Sequence, residues 1–423
     1  MVDFAALYDG KVVPFLRPGP RPDRRHFDGW RLWCETRGGF APAPRVTLAE
    51  YRAASLRHQR LYDLHRTATH VNLRLMETPM STRVTDVLMR RLQNNALKWN
   101  PGTKDGVMVS AGGKQGKTET VCGACADFEQ RLRTLVGQFG PTPVPGVRDE
   151  FVPVGYCRLP AKAAPKALCK NILDIFGDPH PNTLGDLMRA TDGALRGHQT
   201  SSLVIDDVTR LKLHREDDQD TLDVIRELMD LDVTLVLVGV DIPHSGLLRE
   251  AYYDQRANQW VFPEVKHGKS FNPQASTQTE RRFDLVELDK FEYITPSGIT
   301  AFVGHLAGIE EQLRLLKAPE EGMLTTGEMP EYLYRRSRGI VGLLYRLIED
   351  ACDIAITTGE EVLTPEFIAE IPTRLNDIDD LDPDSGEVPE IPREVAPPAP
   401  GKSRKRGRNT VFDDHGHQDA ASA

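Results

Sequence analysis

The sequence predicts an α/β fold: a mainly parallel, five-stranded sheet covered by helices, followed by a small all-helical domain. Three observations predict it. Short apolar stretches of strand length alternate with helical stretches between residues 107 and 288. A glycine-rich turn ending in Lys-Thr, AGGKQGKT (Ala111 to Thr118), follows the first of those strands. Beyond Pro296 the strands vanish while apolar residues three and four apart continue.

Residues 1–46 are rich in proline, arginine and glycine (PFLRPGPRPDRRHFDGW) and read as an arm with little core of its own. Residues 47–99 form a helical lead-in, carried by VTLAEYRAASLRHQRLYDLHR and STRVTDVLMRRLQNNAL. The α/β domain spans 100–292. In it VMVS (Val107 to Ser110) is a buried strand, a helix opens at Lys117, FVPVGYC is the second strand, and PKALCKNILDIFG is a helix that stops at Gly177. SSLVID is the third strand, DTLDVIRELMDL a helix, VTLVLVGV (Val233 to Val240) the fourth strand and FDLVEL (Phe283 to Leu288) the fifth. Residues 293–382 hold GITAFVGHLAGIEEQLRLL, MPEYLYRRS and GIVGLLYRLIEDACDIAI, with a fourth helix opening at Thr364-Pro365, where Thr caps and Pro takes the first turn. Residues 383–423 are too polar and proline-rich to pack and read as a disordered tail with a basic cluster.

Composition sets limits. With 39% apolar and 27% charged residues the chain resembles an ordinary soluble globular protein. No apolar run approaches the length of a membrane span, and the opening MVDFAALYDGKVVPF lacks a signal peptide's basic flank, so a cytoplasmic protein is expected, with no membrane partner. Cys34, Cys122, Cys125, Cys157, Cys169 and Cys352 are scattered, which argues against a disulfide framework. Cys122 and Cys125 form a C-x-x-C, but no second pair completes four ligands, and they fall in the helix after the glycine-rich turn, where small residues pack on a sheet. The net charge of -9 disfavours a nucleic-acid partner, yet residues 1–100 carry 17 Lys and Arg against 9 Asp and Glu. Nearly all of those cations are arginines, suited to phosphate contacts or to a solvated face.

The chemistry concentrates in two places. A strand, a glycine-rich turn and a helix opening with Lys-Thr let backbone N–H groups and a helix N-terminus surround phosphates. Gly112, Gly113 and Gly116 supply the permissive positions, with Lys114, Gln115 and Glu119 completing the cradle. Lys117 is the point charge on the outer phosphates, and Thr118 offers a hydroxyl to Mg²⁺. Ala111 stands where the pattern G-x-x-x-x-G-K-[ST] has glycine, tolerable at a strand exit if φ stays negative. The second place is SSLVIDD (Ser201 to Asp207), a buried strand ending in two carboxylates. Asp206 is suited to the Mg²⁺ shell, and Asp207 stands where a water-activating Glu is common but is one methylene shorter, which predicts slow hydrolysis. ATP and Mg²⁺ are the expected ligands.

These elements resemble the AAA+ ATPases of the P-loop NTPase superfamily, and within them the transposon-encoded TniB/TnsC family. The narrower resemblance is carried by ETPMSTRVTDVLMRRLQNN, PKALCKNILDIFGDP, LVLVGVDIP, ERRFDLVELDKF and, most specifically, SRGIVGLLYRLIEDACDIAITTGEEVLTPEFI, and runs from about residue 50 to 372. It implies an ATP-dependent protein that assembles on double-stranded DNA as a ring or helical filament. It further implies that the assembly informs a DDE-type transposase, with a target-selector protein as a further partner the resemblance allows. Arg281 and Arg282 match the position from which a neighbouring subunit reaches the γ-phosphate, or else form a solvated pair capping a strand. Arg346 is a phosphate sensor or a surface arginine. Where the family usually has Thr after the fourth-strand glycine, this chain has Val240 and Asp241, so no sensor is assigned there. DNA contact is expected to phosphates, without sequence readout, from the lead-in arginines, from VKHGKSFNPQASTQTE and from the tail cluster Lys402 to Arg408. A signalling or defence P-loop switch that does not act on DNA, and a nucleotide-bound scaffold without useful catalysis, are the competing readings.

Overall fold

A computed structural model describes residues 2–10, 12–17, 19–139, 151–159, 164–210, 224–242, 252–254, 259–261, 282–319 and 322–371. The N-terminal third contributes α1 (Phe4–Tyr8), α2 (Phe27–Thr36), α3 (Leu48–Ala53), α4 (Leu56–Val71) and α5 (Pro79–Ala96). The first helical stretch of the lead-in, VTLAEYRAASLRHQRLYDLHR, divides into two helices. Ala54 is extended at ψ 153°, and Ser55 caps a new helix by accepting from the His58 N–H.

The sheet follows. β1 (Gly106–Ala111), β2 (Val154–Arg158), β3 (Ser202–Asp206), β4 (Thr234–Gly239) and β7 (Phe283–Leu288) pair in parallel in the order β2-β3-β4-β1-β7. Between β4 and β7, β5 (Tyr252–Asp254) and β6 (Gln259–Val261) form a separate antiparallel ribbon that the sequence does not announce. The side chains alternate between two cores. Val107, Val109, Val204, Val236 and Val286 meet α5 and α6 (Lys117–Phe139) on one face. Met108, Leu203, Ile205, Leu235 and Leu237 meet α7 (Pro165–Phe176), α8 (Leu184–Gly197) and the helical residues 224–229 on the other. Burial on both faces is why these strands are continuous β-branched and leucine runs.

Gly177, at φ 74°, ends α7 where the sequence predicts a stop. By contrast α8 is not foreseen, because Gly185, Gly193 and Gly197 and two aspartates blur its periodicity. Its buried stripe is nonetheless regular: Leu187, Thr191, Ala194 and Leu195.

A helical lid follows, with α9 (Pro296–Glu310), α10 (Met329–Ser337), α11 (Val341–Thr358) and α12 (Pro365–Ala369). Thr295 and Thr364 cap α9 and α12 ahead of prolines, and Phe302, Leu306, Leu333, Leu344 and Ile348 centre a third core. The lead-in packs on this lid through α4 and α11. Arg66 of α4, fully buried, donates to both oxygens of Glu361 at 2.5 and 2.6 Å and to Asp63 at 2.7 Å.

The opening segment departs from its expectation of little core. Phe4, Tyr8, Ala43 and Tyr62 form a fourth small core, and Trp30 joins the sheet's own core, donating its indole N–H to Glu129 at 2.8 Å. Its ring lies 6.2 Å from that of Tyr156 on β2, an edge strand of the sheet, and His26 reaches the Asp174 carbonyl on α7 at 2.7 Å. A few large rings thus fix a segment whose overall composition suggests little core, by packing on a side chain of an edge strand. The tail, residues 383–423, lies outside the described residues, as do residues 372–382.

Candidate nucleotide-binding site

Because the strands are parallel, the chain leaves β1, β3 and β4 at one edge of the sheet, where α/β folds place ligands. Ala111 is the last residue of β1, paired with Leu288 and 6% exposed, so no left-handed backbone is needed there and its Cβ packs in the core. The turn instead uses Lys114 (φ 59°) and Gly116 (φ 81°), and α6 starts at Lys117. Gln115 folds back to accept the Gly112 N–H. Three of the six non-glycine residues with positive φ among the described residues, Lys114, Asp207 (φ 60°) and Asp241 (φ 49°), follow β1, β3 and β4 respectively. Such unfavourable backbone clusters where a site requires it.

Asp206 is the focus of this edge. It is 2% exposed, and its Oδ2 accepts from Thr118 Oγ1 at 2.8 Å and from Tyr156 Oη at 3.0 Å, while Oδ1 accepts the Asp207 N–H at 2.8 Å. Burial, then the charge of Asp206, pushes the Tyr156 phenol above its ordinary value, so it remains a donor. One hydroxyl beside one carboxylate, at the foot of a phosphate-type loop, is a donor set that suits Mg²⁺, which keeps waters and takes few protein oxygens. Asp207 turns away from this pair. Its Oδ2 accepts from Arg158 Nε in an ion pair, and Arg158 is the residue paired with Asp206 in the β2–β3 register.

The remaining predicted residues scatter more widely. Glu119, in the first turn of α6, is bound by Arg24 Nη2 at 2.8 Å. Beyond β4, the Val240 N–H donates to Thr209 Oγ1 at 3.0 Å and the Ile242 N–H to Ser110 Oγ at 3.1 Å, so hydroxyls from the neighbouring strand ends fix this turn. Arg346 sits on α11, half-exposed, 3.7 Å from Asp350 one turn on, while the lid meets the loop through Gly342, whose N–H donates to the Lys114 carbonyl at 2.9 Å. A Cβ at Gly342 would lie 2.6 Å from that carbonyl oxygen, so only glycine fits. Arg282 precedes β7 at the opposite end of the sheet. Its carbonyl accepts the Gly106 N–H at 2.8 Å and its guanidinium holds Asp230 at 2.8 Å. The length of β1, about 17 Å at 3.3 Å per residue, separates it from the loop. Arg281 lies outside the described residues, as do the loop from Val265 to Glu280 and the tail cluster.

Much of the N-terminal arginine excess is consumed internally: Arg24 by Glu119, Arg37 by Asp127, Arg57 by Asp9, Arg66 by Glu361, and Arg91 by Asp105 and Asp284. Arg52, Arg60, Arg74, Arg83 and Arg90 remain exposed. Arg83 and Arg90 share one face of α5 with Val87 and Asn94, lining an open groove of about 420 Å³ beside β7. Cys122 and Cys125 are buried on α6, and burial pushes the Cys122 thiol up to about 12. Among the described residues no helix is long and apolar enough to cross a membrane. Sequence reasoning missed Tyr156, Arg158, Thr209 and Arg24, whose proximity depends on strand register and on how the N-terminal segment wraps, neither of which is written in local periodicity.

Residues 133–267 match the family model described as Bacterial TniB protein. That stretch holds β2, β3 and β4 with Asp206 and Asp207, and bears out the resemblance read from the sequence. Similar solved structures include the Orc1 protein of Aeropyrum pernix in complex with DNA, 14% identical, covering 71% of this chain and 67% of that one with a TM-score of 0.47. Cdc6p from Pyrobaculum aerophilum is 14% identical over 69% of this chain and 66% of that one, with a TM-score of 0.39. AMPPCP-bound DnaA from Aquifex aeolicus is 13% identical over 66% and 62%, with a TM-score of 0.35. No curated protein matches the chain. The fold is a parallel five-stranded sheet between helices, followed by a helical lid.

Proposed function

We propose that this TniB-like chain is a slow, Mg²⁺-dependent ATPase that oligomerises on double-stranded DNA and, in that state, recruits or activates a DDE-type transposase. The observation that carries the reading is the 2.8 Å hydrogen bond from Thr118 to Asp206, which joins a phosphate-type loop to a carboxylate strand end inside a TniB-matching chain. Backbone N–H groups from Gly112 to Glu119 and the Lys117 ammonium would take the phosphates, and Thr118 and Asp206 would hold Mg²⁺, which would supply charge neutralisation there. Asp207 is the acceptor for the attacking water's proton. Its engagement by Arg158 makes it a poor one, which accounts for slow turnover.

Arg282, with Arg281 beside it in sequence, is too far along the sheet to serve the nucleotide of its own chain and acts on the neighbour's γ-phosphate. Arg346, half-exposed on the helix whose Gly342 meets the loop, reports the phosphates from the lid. DNA phosphates meet the exposed arginines of the lead-in, foremost Arg83 and Arg90.

The test is sedimentation of the purified chain with an arbitrary duplex, with and without Mg-ATP, across a salt series. Nucleotide-dependent, salt-sensitive assemblies are expected, and replacing Arg83 and Arg90 by Gln should lower the slope of log affinity against log salt by about 2. Assembly indifferent to DNA would favour a signalling switch. Absence of affinity for Mg-ATP would overturn the reading altogether.

A further inference from the structure

The segment that covers β2 also reaches the nucleotide edge. Arg24 lies ahead of α2, and its guanidinium sits 5.1 Å from the Trp33 ring centroid and 5.8 Å from that of Tyr156. Nη2 donates to Glu119, in the first turn of α6, at 2.8 Å. Nη1 is shut off from solvent and has no hydrogen-bond partner. A simple surface fastening would leave that nitrogen in water, because desolvating half of a guanidinium without an acceptor is costly. What the placement achieves is contact with a neighbour of each residue assigned to the metal: Glu119 follows Thr118 in the chain, and Tyr156 binds Asp206. The cation lies against the Tyr156 ring, an arrangement favoured by the ring quadrupole. That ring's hydroxyl donates to Asp206 Oδ2, the same oxygen that receives Thr118. Two donors fixed on one carboxylate oxygen set which lone pairs remain for a cation, as outer partners do for metal ligands elsewhere.

We propose that Arg24 is a positioning residue of the nucleotide site: it orients Asp206 through Tyr156 and the start of α6 through Glu119, so that the N-terminal segment tunes how tightly the metal is held. The inference rests on the Mg-ATP reading above. It assigns to the opening segment a part in the chemistry that neither the glycine-rich loop nor the acidic strand end discloses.

The experiment is equilibrium ATP binding to the full chain as a function of Mg²⁺ concentration, for the parent, R24Q, R24K, Y156F and R24Q with Y156F, with thermal melting of each as a folding control. R24Q should raise the Mg²⁺ concentration for half-maximal binding about tenfold, leave ATP affinity in EDTA unchanged, and be partly rescued by the charge-conserving R24K. The double variant should shift by less than the sum of the two singles, because the route through Tyr156 is common to both. A Mg²⁺ titration of R24Q that superimposes on the parent, with only the melting temperature lowered, would reduce Arg24 to a fastener of the N-terminal segment and sink the proposal while leaving the ATPase reading intact. Fully additive shifts would also sink it. A parent that binds no ATP at any Mg²⁺ concentration removes the ATPase reading, and this inference with it.

Discussion

Two buried carboxylates, Asp206 at the end of β3 and Glu361 where the lead-in meets the lid, are solved differently by the same chain. Glu361 is closed: Arg66 takes both of its oxygens, the Leu316 N–H adds a bond at 3.0 Å, and Tyr51 and Tyr62 flank the guanidinium at 5.5 and 5.6 Å. Asp206, more deeply buried, receives only neutral donors, from Thr118, Tyr156 and the Asp207 backbone. A buried charge met by a cation serves the fold, whereas one met only by hydroxyls and an amide keeps its attraction for a cation from outside.

The comparison breaks if the two carboxylates respond alike to mutation. Arg66→Met should destabilise by about 3–5 kcal/mol, because it strands Glu361. Arg66→Met combined with Glu361→Met should recover most of that loss in denaturant melts. Asp206→Asn should behave the opposite way, lowering Mg-ATP affinity by about a hundredfold in calorimetry with folding stability within about 1 kcal/mol of the parent.

Acid sharpens the contrast by a smaller amount. His70 of α4 accepts the Arg314 N–H on Nε2 at 2.9 Å, and burial, then the charges of Arg66 and Arg314, pushes its imidazole down to about 3. The folded state therefore resists a proton that the unfolded chain takes up below about pH 6.5, so stability is full above that pH and falls as pH drops from 6.5 toward 3. At pH 5 the loss should be about 2 kcal/mol, and His70→Gln should flatten the profile between pH 7 and 5. The mildest expected effect is on turnover. Arg158→Gln, which removes the ion pair on Asp207, should raise ATP hydrolysis severalfold, and adding Asp207→Ala should cancel the gain. No change in the single variant would remove Asp207 from the proton path.

The sequence makes the nucleotide edge far more legible than the lead-in and lid joint. AGGKQGKT and SSLVIDD are local patterns whose meaning needs only a strand before and a helix after, and the strands containing them lie where their apolar runs say. The departure at Ala111 dissolves because that residue is still in β1. Arg66 and Glu361 stand 295 residues apart, so no periodicity joins them, and both look like ordinary surface charges in the sequence. Trp30 and Arg24 were hidden for a related reason: proline and arginine around them suggest a free arm, and only the exposed flank of β2 gives those side chains something to cover. The arginine excess misleads in the same way, since a count of charges does not say which ones the fold itself uses.

The N-terminal covering of β2 also sets an order of events at the ribosome. Trp30 is made long before its partners, Glu129 being 99 residues later, and His26 waits 148 residues for Asp174. Phe4 and Tyr8 can settle early on Tyr62 of α4, but until the central strands have emerged and collapsed Trp30 and His26 have no sheet to meet, so this part of the wrapping closes late, after sequence-distant contacts have been gathered. Nascent chains stalled before Asp174 should remain cleavable near His26 by protease, and become resistant only once the later helix has cleared the exit tunnel.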